Sequence, residues 1–420
     1  MSDRLTARTI LFRLFLPFAL GYFVSYLFRT VNAIIAPDLV AELNLTAADL
    51  GLLTSAYFFT FAAFQLPLGV LLDRFGSRKV EGILLLFAAV GALLFSMAES
   101  LTGLIVGRAL IGLGVSACLM AAFKAFSTWL PSERLPLANG VQMVSGGLGA
   151  LTATTPVQAA LQITDWRGVF MGLAGIALLA AVVVFFVVPE QKQNQQNESI
   201  REQLQGLRSV LTSRIFWQIA PWAFISQATY LSIHGLWSGP WLRDVAGMGR
   251  TDIAQMLLWV AVAMMAGYFT FGSLAGRLAT QGVRPSMVAS VGMSSFLVVQ
   301  LLLVFLPDYA TFLWLGFGFF GTAGILPYAI LSQSFPKHLT GRCNTALNLM
   351  VFVVAFSAQW LIGAIIGLWP TTAAGTYSPT GYRAAFLILI VCQLLAAGWY
   401  FITSPSSLDG CPGETQSPSR

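Results

Sequence analysis

Charge is the scarcest ingredient of this 420-residue sequence: 10% of its side chains are Asp, Glu, Lys or Arg, against 57% that are hydrophobic. Soluble domains carry roughly 25% charged residues. A surface this poor in charge cannot be solvated, which excludes a soluble globular enzyme. Carboxylates number 17, and each falls in a loop, a tail or the end of an apolar run, so none stands mid-run as an obvious proton carrier. The four cysteines, Cys118, Cys343, Cys392 and Cys411, have neither paired nor metal-binding spacing and read as packing residues. No Gly-x-x-x-x-Gly-Lys-Ser/Thr loop occurs, which removes a nucleotide-driven pump. No nucleophile–base pair or metal constellation points to an enzyme, and neither a cofactor nor a metal is expected.

What is present is long apolar runs. Because they are continuous rather than alternating, they exclude a transmembrane barrel. About twenty apolar residues cross a bilayer as one helix, and the composition has room for about twelve such spans and little else. They are read at 11–37, 49–72, 79–98, 101–124, 136–163 and 166–188, then at 216–241, 252–275, 285–306, 309–333, 343–368 and 381–403. The first run is longer than a signal-peptide core and is followed by no small-residue cleavage site, so it reads as a span.

The expected organisation is an all-α membrane protein with an N-terminal six-helix half (1–188), a cytoplasmic linker (189–215), a C-terminal six-helix half (216–403) and a disordered tail (404–420). The linker begins with the polar run Gln191–Asn197. It then places Ile200, Leu204, Leu207 and Leu211 at helical spacing, as a short interfacial helix. Net charge is +6. With both ends inside, 17 of the 23 Lys and Arg fall on the cytoplasmic side and four outside, with Arg29 and Arg108 inside spans. The charge therefore reads as membrane orientation in a plasma (bacterial inner) membrane, with the lipid bilayer rather than a nucleic acid as partner, and a monomer is expected.

The halves repeat. Gly69-x-x-x-Asp73-Arg74-x-Gly76-x-Arg78-Lys79 between spans two and three is echoed by Gly272-x-x-x-Gly276-Arg277 between spans eight and nine, 203 residues on. Leu130-Pro131 with Asn139 is echoed by Phe335-Pro336 with Asn344, 205 residues on. Two landmarks at nearly one offset indicate a parallel duplication of six spans. The loop at 69–79 resembles the signature motif of the major facilitator superfamily. Arg108-Ala-Leu-Ile-Gly112-Leu-Gly114 in span four is similar to that superfamily's second motif, and Trp166-Arg167 before span six is also typical of it. The resemblance covers about 11–403. It implies a rocker-switch secondary transporter with one central site between the halves. It also implies that Gly69, Asp73, Arg74, Gly76 and Arg78 form a gate at the cytoplasmic end, with Asp73 near the start of span eleven. There the helix dipole stabilises a carboxylate. The second copy has Gly276 where the first has Asp73, so the two latches are expected to be unequal. The Gly-Pro-x-x-Gly-Gly run of drug/proton exchangers is absent from span five, which has Gly146, Gly147 and Gly149 without the Gly-Pro pair.

A charge at mid-bilayer costs at least about 2.5–3.5 kcal/mol and persists where it faces protein or water. Arg29 belongs to a stripe of Tyr22, Ser25, Tyr26, Arg29 and Asn32 at helical spacing on span one. A guanidinium fork there suits a carboxylate or phosphate. Gly21-Tyr22-x-x-x-Tyr26-Leu27-x-Arg29, with Pro37 eight residues on, resembles the first span of the organophosphate:phosphate antiporters. The anion:cation symporters have a similar arginine-to-proline spacing. In both branches that arginine binds the substrate's anionic group, and this role is carried to Arg29. The antiporters' span-seven arginine is missing, with Ile233 or His234 at that place, and Phe28 replaces the symporters' acid before Arg29.

Gln227, Tyr230, His234 and Trp237 form a second stripe on span seven. His234 titrates near neutrality and is read as a substrate-binding or proton-coupling group. Arg108 serves proton coupling or interhelix bonding. Lys124, near the cytoplasmic end of span four, snorkels to the interface or relays anions. Tyr57, Gln65, Tyr328, Asn344, Asn348 and Gln359 are further polar groups at membrane depth, each either a cavity group or an interhelix hydrogen bond. The leading reading is a proton-coupled symporter of a small organic anion. The alternatives are an exporter of a drug-like or neutral solute and a transporter-fold ligand sensor.

Overall fold

The computed structural model describes residues 7–130, 135–189, 200–335, 339–372 and 376–403, and among these every regular element is a helix. Ten helices are long and apolar enough to cross a membrane. Span one is Ile10–Thr30 and continues as Asn32–Leu43. Span two is Ala47–Gln65, span three Arg74–Ser96, span four Leu101–Trp129 and span six Trp166–Val187. Span eight is Arg250–Ala279, span nine Pro285–Phe305, span ten Pro307–Leu331, span eleven Gly341–Ile366 and span twelve Pro379–Thr403. Two interrupted helices complete the twelve. Span five is Leu135–Thr152 followed by Thr155–Ala160. Span seven is Arg214–Ser232, a π turn over Ile233–Trp237, and Ser238–Asp244. Breaks and polar residues such as Gln142, Ser145, Gln227 and Thr229 dilute their apolar runs. The end of the bundle where span one begins and span twelve finishes is called the near end, and the opposite one the far end.

Local chemistry sets the boundaries. Asn44, at φ 51°, closes span one with a left-handed residue. Thr46 opens span two through a capping box: its hydroxyl accepts from Asp49 N–H (3.1 Å) while the Asp49 carboxylate accepts from Thr46 N–H (3.0 Å). Spans two and three are one helical run, Ala47–Ser96, broken at Gly76 (φ 79°, ψ 157°). A residue with a Cβ would be strained there, which is the physical reason for that glycine in the signature loop. Arg78 Nη1 donates to the Val188 carbonyl (3.4 Å), tying the loop to the end of span six. Arg74 lies beside the Phe75 ring (5.4 Å). The Asp73 side chain, the polar run 191–197 and the tail from 404 lie outside the described residues. The linker helix is Ile200–Leu211. Leu207 and Val210 are buried, and its Gly206 packs directly on the Arg342 side chain at the start of span eleven.

Each half is fastened at its far end by a buried or half-buried carboxylate. Glu42, closing span one, accepts from Trp166 Nε1 and Arg167 Nη2, both at 2.6 Å, at the start of span six. Asp244, closing span seven 202 residues later, accepts from Tyr377 N–H (3.2 Å) and Tyr382 O–H (2.9 Å) at the start of span twelve, and from Arg243. Burial pushes the Tyr377 phenol up to about 12. The pairing exposes a repeat that hydropathy and loop motifs do not reveal: Trp166-Arg167-x-x-Phe170 recurs as Tyr382-Arg383-x-x-Phe386.

Between the halves, the far end is closed by backbone contact. A Cβ on Gly239 of span seven would lie 2.0 Å from the Ala33 carbonyl oxygen of span one. Pro37 lacks the N–H that would bond that carbonyl within the helix, so the oxygen is available to the facing backbone. A Cβ on Gly51 of span two would lie 2.8 Å from the Gln359 carbonyl oxygen, and one on Gly363 of span eleven 2.2 Å from that of Ala47. An Arg250–Asp38 ion pair and a Thr155 Oγ1 bond to the Ala254 carbonyl (3.4 Å) also cross the interface there.

Candidate functional site

Span one is built to place Arg29. The helical bond ladder is broken for one residue at Val31, whose dihedrals stay helical (φ −56°, ψ −29°), and the helix resumes at Asn32. Arg108 of span four reaches this break and donates from Nη1 to the Phe28 carbonyl (2.9 Å). A cation on the last carbonyls of a helix satisfies an acceptor and complements the dipole. Arg108 also lies 5.2 Å from the Tyr57 ring, and Tyr57 O–H donates to the Ser25 carbonyl (3.4 Å). Spans two and four thus fix both turns of span one that flank the stripe.

The stripe faces a cavity of about 420 Å³ between the halves. That volume falls within the roughly 300–1,000 Å³ of small-molecule sites. Tyr22, Ser25, Tyr26 and Arg29 line it from span one, and Tyr328 and Asn348 from spans ten and eleven. Among the described lining residues Arg29 is the one charged side chain, and none is a carboxylate. Its guanidinium carbon lies 4.6 Å from the Tyr26 ring centre and 5.5 Å from those of Phe61 and Phe352. Phe61 and Phe352 are themselves 4.3 Å apart across the half–half boundary. The cation therefore sits in an aromatic collar drawn from both halves, 8% exposed, with its Nε unbonded. Cation–π contact supports such a group but does not neutralise it.

Hydrogen-bonding groups surround the collar. Tyr22 packs edge-on to Tyr26 (5.1 Å) and points its hydroxyl at Met143 Sδ (3.6 Å). Gln65 Nε2 donates to the Ser116 carbonyl (3.1 Å), and Tyr328 O–H donates to Asn348 Oδ1 (3.2 Å). Gln227, Tyr268 and Asn344 also line the cavity. Tyr268 is a lining residue that sequence reasoning misses, although a lone tyrosine in the apolar run of span eight is its signal. At the near end the lining extends to Gly341, in the first turn of span eleven.

Several sequence-selected residues lie outside the described lining. Asn32, beyond the break at Val31, is fully buried with both side-chain polar atoms unbonded. Tyr57 and Arg108 form the support behind span one. Tyr230 and His234 stack on each other (5.4 Å, 22°), and Tyr230 packs on Phe317 (5.5 Å) and Gly321. The Tyr230 hydroxyl has no hydrogen-bond partner. Gln359 links the same region, its carbonyl accepting from Trp237 Nε1 (3.1 Å). Among the described residues no group of three or more His, Cys, Asp or Glu is placed to hold a metal.

Residues 18–358 match the family model described as Major Facilitator Superfamily. The chain is 26% identical over 261 residues to a probable sulfoacetate transporter of Cupriavidus necator, an alignment covering 59% of this chain and 60% of that protein. It is 24% identical over 403 residues to a hexuronate transporter of Escherichia coli K12, covering 90% of each. It is also 24% identical to a probable galactarate/D-glucarate transporter of Bacillus subtilis, covering 82% and 83%. Among solved structures, a bacterial homologue of the human lysosomal transporter Spinster, inward-facing and unoccupied, superimposes with a TM-score of 0.76 at 16% identity, covering 97% of this chain and all of that one. A D-xylose–proton symporter gives 0.73 at 15% identity, covering 93% and 97%. At these identities the structural likeness concerns the fold. Two six-helix halves around a central cavity, and a match that runs from span one into span eleven, show that this chain belongs to the Major Facilitator Superfamily of membrane transporters.

Proposed function

We propose that the protein carries a small organic anion through the membrane by alternating access, coupled to proton symport, with both termini in the cytoplasm of a bacterial inner membrane. One observation carries the reading: the described lining of the central cavity holds a single cation, Arg29, and no acid to neutralise it. A carboxylate entering the collar supplies the missing charge and takes a charge-assisted bond, worth about 1.5–3 kcal/mol. The relatives named for sulfoacetate, hexuronate and galactarate/D-glucarate point to the same substrate class. Hydrogen-bonding groups from both halves, Gln65, Gln227, Tyr328 and Asn348 among them, suit hydroxyl groups on such an anion. His234, read from the sequence as a substrate-binding or proton-coupling group, stacks against Tyr230.

The cavity is closed toward the far end and extends toward the near end, so the anion is released to, or taken from, the near side in this conformation. The test is thermal stabilisation of the purified protein by a panel of sugar acids, sugar phosphates, dicarboxylates and neutral analogues. Ligand binding to the folded state raises Tm by mass action. One anion class should stabilise the parent and lose about 10- to 150-fold in affinity in Arg29→Ala. Stabilisation by neutral compounds alone, or an unchanged response in Arg29→Ala, rejects the anion reading in favour of a neutral-solute exporter.

A further inference from the structure

The carboxylates assigned to span ends by sequence include one that the fold buries. Glu81 lies two turns into span three and is 0% exposed, and neither carboxyl oxygen has a hydrogen-bond partner. Its Oε1 rests on the backbone of Gly21 in span one: a Cβ at Gly21 would stand 2.2 Å from it, with Leu85 next. On span four the adjoining polar group is the Cys118 thiol, itself fully buried. Gly21 is followed by Tyr22, and Ser116 and Leu119 stand close to Cys118 in the chain, all three lining the cavity. The carboxyl group thus stands directly behind the wall that carries the Arg29 stripe.

We propose that Glu81 is a proton-binding site whose proton is carried with the anion, coupling proton movement to transport. This rests on the anion reading above. A desolvated carboxylate with only a thiol, a weak donor, and no cation beside it is unfavourable, and taking up a proton removes the charge. Of the groups on the packed elements, the Cys118 thiol faces Glu81, while Arg29 lies in the cavity lining. On its own helix Arg78 is turned to the Val188 carbonyl and Lys79 is exposed. No cation among the described residues therefore holds Glu81 ionised. An anion bound at Arg29 adds negative charge in front of Glu81 and opposes release of its proton, so the two ligands favour each other's binding, as linkage requires. The proton and a monoanion then cross as a neutral pair. Loss of the proton leaves a charge against Gly21, the point at which span three meets the substrate-binding span.

The experiment has a transport arm and a substrate-independent arm. In proteoliposomes, Glu81→Gln is expected to keep exchange of labelled D-glucuronate across the membrane while losing its accumulation driven by an inward proton gradient. Accumulation at the parent level overturns the coupling role. In the infrared arm, the parent at neutral pH, without any anion, is expected to show the C=O stretch of a protonated carboxylic acid that Glu81→Gln lacks. If Glu81→Gln does not fold, Gly21→Ala, which displaces the carboxyl group, should shift that band. Absence of the band, or a band unmoved by either substitution, overturns the proposal. A parent that carries no glucuronate but shows the band rejects D-glucuronate as the anion and leaves Glu81 standing as a proton site.

Discussion

The three glycine–carbonyl contacts that close the far end give a graded perturbation. In Gly239→Ala the new methyl carbon would sit 2.0 Å from the Ala33 oxygen, where side-chain carbons essentially never approach within 3.0 Å. The obstacle is backbone and cannot swing aside, so spans one and seven must part by about 1 Å. Overpacking of this kind costs about 1–3 kcal/mol. The cost falls on the closed far end alone, because the contact does not exist once the halves have swung apart. The ratio of far-end-open to far-end-closed molecules should therefore rise about 5- to 150-fold. Gly363→Ala, at 2.2 Å from the Ala47 oxygen, should act as strongly, and Gly51→Ala, at 2.8 Å from the Gln359 oxygen, more weakly. Gly172→Ala, with nothing within 4 Å, is the control. Spin labels at Glu99 and Tyr309, both exposed at the far end and in different halves, report the separation by pulsed electron resonance. The longer-distance population should grow in the order given. A parent-like distribution in Gly239→Ala and Gly363→Ala, or an equal shift in Gly172→Ala, refutes the reasoning.

Other perturbations test the supports of the site. Asp244→Asn removes a fully buried carboxylate that accepts from Arg243, Tyr377 and Tyr382, and should cost about 3 kcal/mol, read as a lowered Tm in detergent. An unchanged Tm shows that the far-end fastening of the second half is dispensable. Arg108→Gln loses the charge-assisted bond to the Phe28 carbonyl, about 1.5–3 kcal/mol, and should weaken anion binding as well as stability because that bond fixes the turn carrying Arg29. A lowered Tm with an unchanged Kd confines Arg108 to a structural role.

Span number and the repeat were legible because they depend on runs and offsets, which survive without tertiary knowledge. The stripe from Tyr22 to Arg29 was legible too, since one uninterrupted helix keeps its face. Helical arithmetic puts Asn32 on the same face, but Asn32 is fully buried and outside the described cavity lining. Glu81 was not legible. Arg78 and Lys79 mark a span boundary in any hydropathy reading, whereas the fold starts span three at Arg74 and carries Glu81 beneath span one. The recurrence of Trp166-Arg167-x-x-Phe170 was in plain view, but the longer segment before span twelve moves its copy off the common offset. Which glycine meets which carbonyl is set by the packing of distant helices, and no local pattern records it.

The paired fastenings at Glu42 and Asp244 have a mechanical consequence. Each joins the last turn of a half's first span to the first turn of its last span, so each half is hooped: a ring of helices whose ends are stapled rather than an open fan. A hooped body resists shear among its own members and transmits torque as a unit. The two hoops differ in chemistry. The Glu42–Arg167 pair is partly solvent-exposed, at 44% and 23%, whereas the Asp244 side chain is fully enclosed. Salt screens exposed charges and scarcely reaches enclosed ones. The stiffness of the first half should therefore follow the ionic strength at the far end, while the second half keeps its shape.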